Sequence, residues 1–435
     1  MTMYFEPEYE CMSRDGLAQL QLERLQSTLF RLSRNVPFYR RKFREMDFDP
    51  EELRSLDDLA SLPFTTKADL RENYPYGMFA VPLREVVRLH SSSGTTGKAV
   101  VCGYTRNDVK RWAKLGARVL TAGGVTRDDV VQIAFNYGLF TGGFGFHYGA
   151  ELLGASVIPS SSGNSRRQIQ IMQDYKTTAL VCTPSYALYL ANVMEESGIN
   201  PNALDLKWGL FGAECWSDAM RAEIQERLKI TATDNYGLTE IMGPGVAAEC
   251  LERGGLHLNE DHFLAEVIDP QTGLPAAPGE KGELVLTTLT KEAFPMLRFR
   301  TGDLTRLVPG ACPCGRTFVR MDRILGRTDD MFTLRGVNVF PAQVEAALLT
   351  VPGIEPCYQI VLEREGALDT ATVLVEASTD EYFDEIKKHQ HMVLTIAKTL
   401  ESMVGVSFAV KLVEKSSLYA GDACKAKRVV DNRKF

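Results

Sequence analysis

The sequence predicts an α/β protein, with a large N-terminal domain of mostly parallel sheets and helices followed by a small, mobile α+β domain. Between residues 85 and 330, short apolar runs alternate with helical stretches, and such alternation is typical of a parallel sheet. After residue 326 the pattern changes to a helix, strands around a turn, and a long helix. The length of 435 residues, with 45% hydrophobic and 24% charged residues, suffices for two or three globular domains.

Hydrophobic periodicity predicts the elements of the large domain. Leucines at helical spacing indicate one amphipathic helix over residues 15–46 (Leu22, Leu25, Leu29, Leu32). Strands are predicted at residues 130–135, 156–160, 178–183, 208–214, 230–237 and 283–289. Helices are predicted at residues 106–122, 166–175, 184–198 and 217–228.

The small domain follows a polar stretch, and we place the boundary within residues 326–330. This assigns residues 1–326 to the large domain and residues 327–435 to the small one. Pro341 suits the first turn of a helix over residues 340–351. Further elements are predicted as strands at 357–363, 371–377 and 406–414 and a helix at 379–403.

Composition excludes several classes of protein. The net charge is −7 with no basic block, so a nucleic-acid partner is not expected. The first fifteen residues are acidic and polar, unlike a signal peptide. Residues 130–150 carry no charge but are rich in glycine, which favours a buried or site-lining segment over a membrane span. Nine scattered cysteines argue against a disulfide framework and favour a reducing cytoplasm.

A loop rich in serine, threonine and glycine, "SSSGTTGKAVV" at residues 91–101, has the composition of a phosphate cradle. It is not a Walker A loop, because only two residues separate Gly94 from Gly97 and Ala99 follows Lys98. Its backbone N–H groups and hydroxyls can still wrap a polyphosphate. Taken alone, the loop is equally well explained as a surface turn.

Two further stretches carry carboxylates suited to a nucleotide. In "DNYGLTE" (residues 234–240), Gly237 permits close backbone approach and Glu240 offers a hard oxygen ligand for Mg²⁺. In "FRTGDLTRL" (residues 299–307), Asp303 follows a glycine at a predicted turn and could accept both ribose hydroxyls. Each is, by itself, also compatible with an ordinary turn.

Taken in order, these motifs resemble those of the adenylate-forming superfamily of acyl-CoA synthetases, adenylation domains and luciferases. The order is the Ser/Thr/Gly loop, Tyr-Gly-x-Thr-Glu, Thr-Gly-Asp, Gly-Arg-x-Asp-Asp with a following Arg-Gly, and a C-terminal lysine. The stretches at residues 137–168 and 210–217 and the sequence "RGVNVFP" resemble the phenylacetate–CoA ligase branch. The resemblance covers most of the chain.

The resemblance implies a role for each matching residue. The loop would hold the β- and γ-phosphates of ATP (Ser93, Gly94, Thr95, Thr96, Gly97, Lys98). The nucleotide site would further include an adenine-side motif and the residues around the second motif (Gly212, Ala213, Glu214, Asp234, Asn235, Tyr236, Gly237). Thr239 would touch the α-phosphate, Glu240 would hold Mg²⁺, and Asp303 would take the ribose hydroxyls beside Arg327. Asp329 matches the family's interdomain hinge, and Gly336 its pantetheine channel.

The implied chemistry also needs a mobile cation. A carboxylate attacks the α-phosphate to give a mixed anhydride, and such phosphoryl chemistry asks the protein for positioning and charge neutralisation. The resemblance assigns the catalytic lysine to Lys425 on the small domain, which could swing in and out of the site. Cys424 replaces the glycine usual before this lysine, and Lys427 is a rival candidate.

The acid is expected to lie against the segment "FNYGLFTGGFGF". Tyr137 and Phe140 could stack on an aromatic ring, and Ala213 and Gly237 would leave it room. The alternative is that these aromatic side chains belong to the core. His147 is expected to be a buried, hydrogen-bonded histidine and not a base.

Three cysteines and a histidine predict a structural zinc site. Cys250 and His257 lie seven residues apart, Cys312 and Cys314 form a Cys-x-Cys pair, and both stretches are expected to be loops. Together they would complete a tetrahedral Cys3His site with no open position for catalysis. The alternative is a set of unlinked thiols.

The sequence therefore predicts an AMP-forming ligase that joins a phenylacetate-like acid to coenzyme A, using ATP and Mg²⁺. Two alternatives stay open: an enzyme that loads an acyl group onto a carrier protein or other acceptor, and a silent nucleotide-binding protein. No membrane partner is expected, and the family resemblance implies a homodimer.

Overall fold

The computed structural model describes residues 4–92, 99–328, 332–334, 337–339, 341–365, 368–377, 386–414, 417–418 and 428–433. Contacts group the chain into two compact units. The first comprises Met1–Thr183, Val193–Ala213 and Leu228–Arg323, and the second Pro184–Asn192, Glu214–Arg227 and Ile324–Phe435. The predicted class, a large N-terminal α/β part with a smaller C-terminal α+β part, is confirmed. The division into functional domains at residues 326 and 327 stays a prediction.

Helices precede β1, helices and strands alternate from β2 to β7, and strands dominate the rest of the described chain. The helices are α1 (Pro7–Glu10), α2 (Arg14–Asn35), α3 (Pro37–Glu45), α4 (Lys67–Glu72), α5 (Arg106–Ala122), α6 (Gly142–Leu153), α7 (Ser165–Asp174), α8 (Pro184–Glu196), α9 (Asp218–Leu228), α10 (Pro341–Leu348) and α11 (Ile386–Val404). The strands are β1 (Arg88–Ser91), β2 (Val101–Tyr104), β3 (Val130–Ile133), β4 (Ser156–Ile158), β5 (Ala179–Cys182), β6 (Trp208–Gly212), β7 (Thr231–Leu238), β8 (Gly243–Glu249), β9 (Leu256–Leu258), β10 (Phe263–Ile268), β11 (Gly282–Thr288), β12 (Phe299–Thr305), β13 (Leu307–Val308), β14 (Arg320–Met321), β15 (Gly326–Arg327), β16 (Phe332–Leu334), β17 (Val337–Val339), β18 (Ile354–Glu365), β19 (Leu368–Ala377), β20 (Ala409–Val413) and β21 (Val429–Asp431).

The main sheet of the first unit is mixed. Its order is β13-β14-β9-β8-β7-β6-β5-β3-β4 among the described strands. The strands from β4 to β7 are parallel, as the strand–helix alternation predicts, whereas β7, β8, β9, β14 and β13 pair antiparallel. A second sheet carries β10, β11 and β12 in antiparallel order. The parallel half directs the carboxyl ends of β3, β5, β6 and β7 to one edge.

The prediction of a single helix over residues 15–46 is wrong in one respect. Two helices, α2 and α3, replace it, and the second begins at Pro37. Proline lacks an N–H group and restricts the residue before it, and Val36 is extended with φ −111° and ψ 107°. Leu25, Leu29 and Leu32 of α2 are nevertheless buried as expected, whereas Leu22 is only partly buried.

Helices α5 and α6 pack unusually closely over the parallel strands. A Cβ atom on Gly116 would lie 2.3 Å from the carbonyl oxygen of Gly145, and one on Gly149 would lie 2.4 Å from the carbonyl carbon of Gly116. Glycine at these positions therefore sets the distance between the helices. Their inner faces complete an apolar core with β3, β5 and β6.

The second unit has its own core, which is formed by α10, α11 and the described part of the sheet β20-β19-β18-β21. Within it Glu345 of α10 is buried near Arg428, at 3.5 Å, and accepts a 3.4 Å hydrogen bond from Tyr358. Burial raises the pKa of Glu345 to about 7. Arg428 and Tyr358 act in the opposite direction, and Glu214 adds to the rise.

No helix among the described residues is both long and apolar enough to cross a membrane.

Candidate functional site

Three of the predicted stretches meet the carboxyl edge of the parallel strands. The loop with Tyr137 and Phe140 follows β3, Ala213 follows β6, and Thr239 and Glu240 follow β7. In doubly wound sheets, ligands bind in the crevice beyond this edge. The fold therefore brings together residues that lie a hundred positions apart in the sequence.

The ends of two motifs are joined by one hydrogen bond. Tyr236 Oη donates to Asp303 Oδ2 at 2.6 Å, and the Asp303 side chain is almost completely buried. Asp303 lies within β12, so the prediction of a simple turn is wrong. Gly302 has φ +78°, and the Thr301 hydroxyl accepts the Asp303 N–H at 3.0 Å. The Asp303 carboxylate is therefore positioned by the Tyr236 hydroxyl, where the second and third motifs meet.

Two residues of the second motif have clear roles inside the protein. Asn235 Nδ2 donates to the Phe211 carbonyl at 2.5 Å, which ties the ends of β6 and β7 together. The Asp234 N–H donates to Glu249 on β8 at 2.8 Å. Both side chains are buried, and their predicted contact with a nucleotide stays a prediction.

Thr239 and Glu240 form the buried turn between β7 and β8. The hydroxyls of Thr239 and Thr141 lie 3.3 Å apart. Burial raises the pKa of the Cys102 thiol well above its usual range, and the charge of Glu240 adds to this rise. Cys102 lies on β2, the strand that follows the Ser/Thr/Gly loop in the sequence. Glu240 is therefore close to that strand.

The adenine-side motif contains a strained residue. Ala213 has φ +70°, a left-handed conformation that costs about 1 kcal/mol or more for a residue with a side chain. Such strain is concentrated at functional sites. Gly212 allows close pairing, because a Cβ there would lie 2.3 Å from the Asn235 carbonyl oxygen. Glu214 Oε1 accepts the Ser185 N–H at 2.6 Å, at the start of α8.

The predicted acid-binding aromatics lie at the margin of the core. The ring of Tyr137 makes an edge contact with Phe144 at 5.2 Å between centroids, and Phe140 lies 6.0 Å from Phe135. Both side chains are partly buried against the apolar core. His147 contacts the Tyr137 hydroxyl at 3.3 Å and Glu151 at 3.3 Å, so both of its ring nitrogens have partners.

The three cysteines and the histidine form one buried cluster. Cys250 follows β8, His257 lies on β9, and Cys312 and Cys314 lie between β13 and β14. The expectation that both stretches are loops is therefore wrong for His257. Their four ligand atoms lie within 4.8 Å of one another. The Sγ atoms of Cys250 and Cys312 are 3.7 Å apart, and Cys314 Sγ lies 3.5 Å from His257 Nε2.

This cluster fits a tetrahedral zinc ion. Bond lengths of about 2.3 Å to sulfur and 2.0–2.1 Å to nitrogen give tetrahedral edges of about 3.8 Å and 3.6 Å. The two measured contacts match these edges, and the largest separation requires a movement of roughly 1 Å. The sulfur separation is far too long for a disulfide. A hydrogen bond between the two thiols lowers the pKa of Cys314, against the effect of burial, and raises that of Cys250.

Several predicted residues lie outside the described residues. They are the phosphate loop (Ser93, Gly94, Thr95, Thr96, Gly97, Lys98), Asp329, Gly336, Lys425 and Lys427. Arg327 is described on β15, in the second unit. Their assigned roles stay predictions.

Two buried polar residues near the site carry no recognisable signal in the sequence. Thr141 contacts Thr239, and Lys291 places its ammonium 3.6 Å from Met242 Sδ and 3.0 Å from the centre of the Tyr104 ring. No sequence pattern signals either residue, because a single threonine or lysine is usually exposed.

Comparison with known proteins identifies the class. The model of the AMP-binding enzyme family matches residues 49–289, and that of the AMP-binding enzyme C-terminal domain matches residues 336–433. The chain belongs to this adenylate-forming family, and the family resemblance inferred from the motifs is confirmed.

Relatives within the family define its branch. The chain is 48% identical to a phenylacetate-coenzyme A ligase of Thermus thermophilus, covering 99% of this chain and 100% of the relative. It is 48% identical to a phenylacetate-coenzyme A ligase of Escherichia coli, covering 98% and 97%. A solved 2-hydroxyisobutyryl-CoA ligase in the postadenylation state is 32% identical with a TM-score of 0.92, covering 99% and 93%. The protein is thus an AMP-forming acid–CoA ligase of the phenylacetate–CoA ligase branch, as predicted.

Proposed function

We propose that the protein joins an aromatic, phenylacetate-like carboxylic acid to coenzyme A through an acyl-adenylate. The observation that carries this proposal is the hydrogen bond from Tyr236 to the buried Asp303, in a chain that matches phenylacetate–coenzyme A ligases along its whole length. An aromatic wall at Tyr137 supports an aromatic acid.

The first half-reaction forms the acyl-adenylate. A carboxylate oxygen of the acid bonds to the α-phosphorus of ATP, and the bond from that phosphorus to the bridging oxygen breaks, so that pyrophosphate leaves with the electron pair. We assign the ribose hydroxyls to Asp303, beside Arg327, and the α-phosphate to Thr239. Mg²⁺, when bound at Glu240, would neutralise phosphate charge. The loop at residues 93–98 would hold the departing phosphates.

The nucleotide base is assigned to the end of β6 and the start of the second motif. Tyr236 would flank the adenine, with Gly212, Ala213 and Glu214 along its side. The strain at Ala213 supports a functional reason for this turn. Asp234, Asn235 and Gly237 would contribute by shaping the backbone that faces the nucleotide.

The second half-reaction transfers the acyl group. The coenzyme A sulfur bonds to the acyl carbon, and AMP leaves with the oxygen that joined them. We assign Lys425 to the first half-reaction, with Lys427 as its rival, and Gly336 to the pantetheine channel. In this proposal residues 1–326 bind ATP and acid, and residues 327–435 move about Asp329 between the two steps.

Release of pyrophosphate with phenylacetate, measured with and without coenzyme A, tests the function. We expect release that depends on the acid, and formation of AMP and thioester once coenzyme A is added. Release without consumption of coenzyme A would favour loading of a carrier protein, and no release would favour a silent nucleotide-binding protein. An aliphatic acid of similar size tests the aromatic preference, and Lys425→Ala against Lys427→Ala tests which lysine acts.

We further propose that Cys250, His257, Cys312 and Cys314 hold a structural zinc ion. The matching tetrahedral edges support this assignment. We expect about one zinc per chain in purified protein, and loss of that zinc in Cys312→Ser. Cys11→Ser is the control, because Cys11 is exposed and outside the cluster. Equal zinc contents well below one per chain in the unaltered protein, Cys312→Ser and Cys11→Ser would contradict the proposed zinc site.

A homodimer and a reducing cytoplasmic location complete the proposal. The first is supported by family resemblance, and the second by the free thiols among the described cysteines. Size-exclusion chromatography with light scattering tests the dimer.

A further inference from the structure

A cavity of about 330 Å³ lies in the first unit, between the N-terminal helices and α5. Its described lining includes none of the residues assigned above to nucleotide, acid or metal. Helix α2 contributes one wall and α5 another, and the segments around residues 261–262 and 289–291 also line it. The volume falls at the low end of the range for small-molecule pockets.

The lining carries a strong excess of positive charge. Among the described residues, seven Lys and Arg side chains line the cavity against two carboxylates. The chain as a whole has a net charge of −7, so this concentration opposes the overall balance. A concave surface lined by one sign of charge attracts counter-ions.

The two lining carboxylates are already engaged. Arg118 binds Glu6 at 2.7 Å and Asp261 at 2.7 Å, and all three side chains are buried. Lys114 shares Glu6 at 2.8 Å. Arg24 donates to the Asp261 backbone carbonyl and lies 3.7 Å from its carboxylate. These acids therefore have no capacity left to neutralise the remaining cations.

Lys291 faces the Tyr104 ring at 3.0 Å, and two further cations without a carboxylate partner among the described residues lie on different walls. Arg31 of α2 and Lys110 of α5 have no carboxylate within 4 Å in the described part of the chain. Their neighbour Arg111 is occupied by Glu292 at 2.9 Å. Ser27, one turn before Arg31 on the same helix, offers a hydroxyl to the same space. A guanidinium, an ammonium and a hydroxyl together form a donor set suited to phosphate oxygens.

The floor of the cavity is held rigid. His262 Nδ1 contacts the Thr290 hydroxyl at 2.6 Å, and the Thr290 carbonyl accepts from Arg111 at 2.7 Å. Burial lowers the pKa of His262 to about 4, so its ring is neutral at pH 7. Burial also lowers the pKa of Lys291 to about 8, so its ammonium remains mostly charged.

We propose that this cavity binds a phosphorylated anion through Arg31 and Lys110. The donor set and volume fit a diphosphate group, either free or as the phosphate tail of a nucleotide. The inference depends on the cavity alone and is independent of the ligation chemistry proposed above.

Lysine acetylation followed by mass spectrometry of the full-length protein tests this proposal at the site itself. Inorganic diphosphate is added without metal, and the acetylation rates of Lys110 and Lys114 are followed. Lys281, which is exposed and outside the cavity, is the internal control. We expect diphosphate to protect Lys110 and Lys114 and to leave Lys281 unchanged, with weaker protection at high salt.

Variants make the test specific. Arg31→Ala should raise the half-protecting concentration of diphosphate about tenfold or more, since a charge-assisted contact is lost. Arg44→Ala, which removes an exposed arginine of α3, should leave it unchanged. Stronger protection by ADP than by diphosphate assigns a nucleotide tail, and protection by diphosphate alone assigns the free anion. Absence of protection by both probes, or protection that Arg31→Ala does not weaken, overturns the proposal.

Discussion

Gly237 lies at a bulge where β7 meets β8, and its replacement by alanine gives a sharp test of the site's architecture. The β7–β8 register shifts between Tyr236 and Gly237, and Gly237 pairs with Pro244. A Cβ atom on Gly237 would lie 1.8 Å from the Gly243 carbonyl oxygen and 2.9 Å from Pro244 Cα. A normal carbon–oxygen contact is about 3.3 Å or longer. The two strands would therefore have to separate by roughly 1.5 Å.

The cost of Gly237→Ala follows from the nature of the obstacle. Overpacking against side chains costs about 1–3 kcal/mol, because side chains can rotate aside. Here the obstacle is a backbone carbonyl, and moving it also strains hydrogen bonds of the ladder, each worth about 1 kcal/mol net. We expect Gly237→Ala to lower the free energy of unfolding of the first unit by about 4 kcal/mol.

Urea unfolding followed by tryptophan fluorescence measures this loss. Gly138→Ala is the matched control, since a Cβ there meets only the Asn136 side chain, at 3.2 Å. A difference of less than about 1 kcal/mol between the two variants would refute the close approach of β7 and β8. The same variant should lose pyrophosphate release, because the displaced strand end carries Thr239 and Glu240.

Three further predictions test other parts of the molecule. The pKa of Glu345 is raised from 4.5 to about 7, so protonation of Glu345 stabilises the folded state. This stabilisation is fully present below about pH 4.5 and is lost as the pH rises to about 7, which lowers the free energy of unfolding by about 3 kcal/mol. Glu345→Gln should remove this dependence between pH 5 and pH 8 in urea unfolding, and an unchanged slope would contradict it. Tyr236→Phe keeps the ring but removes the hydroxyl that binds Asp303, and should raise the KM for ATP about tenfold with little change in kcat, since a charged hydrogen bond contributes about 1.5–3 kcal/mol. An unchanged KM would show that this hydrogen bond does not contribute to ribose binding. Arg298→Met leaves Glu266 without its 2.8 Å partner and should cost about 3 kcal/mol of unfolding free energy, whereas a neutral effect would show that the pair is solvated.

The parallel half of the fold is predictable because its local signals agree. The helix predicted at 106–122 has those same bounds, since Thr105 and Asp108 form a capping box at its start. The strands β3 to β7 are short runs between helices, and this alternation is typical of a parallel sheet. The break at Pro37 was also visible in the sequence, but the prediction extended the leucine periodicity that ends at Leu32 into the charged stretch beyond it.

The antiparallel half is less predictable for a physical reason. Strand β8 is buried along its whole length, so it shows no alternation of polar and apolar residues. In β12 burial alternates along the strand, but the buried positions after Phe299 are polar (Thr301, Asp303, Thr305), and Gly302 suggests a turn at the point where the strand continues. Packing in this half depends on side-chain contacts distant in sequence, such as the hydrogen bond from Tyr236 to Asp303, which no local pattern encodes.

The cluster of three cysteines and one histidine and the cationic cavity show how residue abundance limits inference from sequence. Nine cysteines in 435 residues make the spacing of Cys250, Cys312 and Cys314 informative, and the structure places their ligand atoms together with that of His257. By contrast, the chain has 49 Lys and Arg residues, so Arg31 and Lys110 carry no signal until the fold shows that both line one cavity. Sites made from rare ligands can be found before the structure is known. Sites made from abundant charged residues can be recognised only when the structure shows that the nearby carboxylates are already paired with other cations.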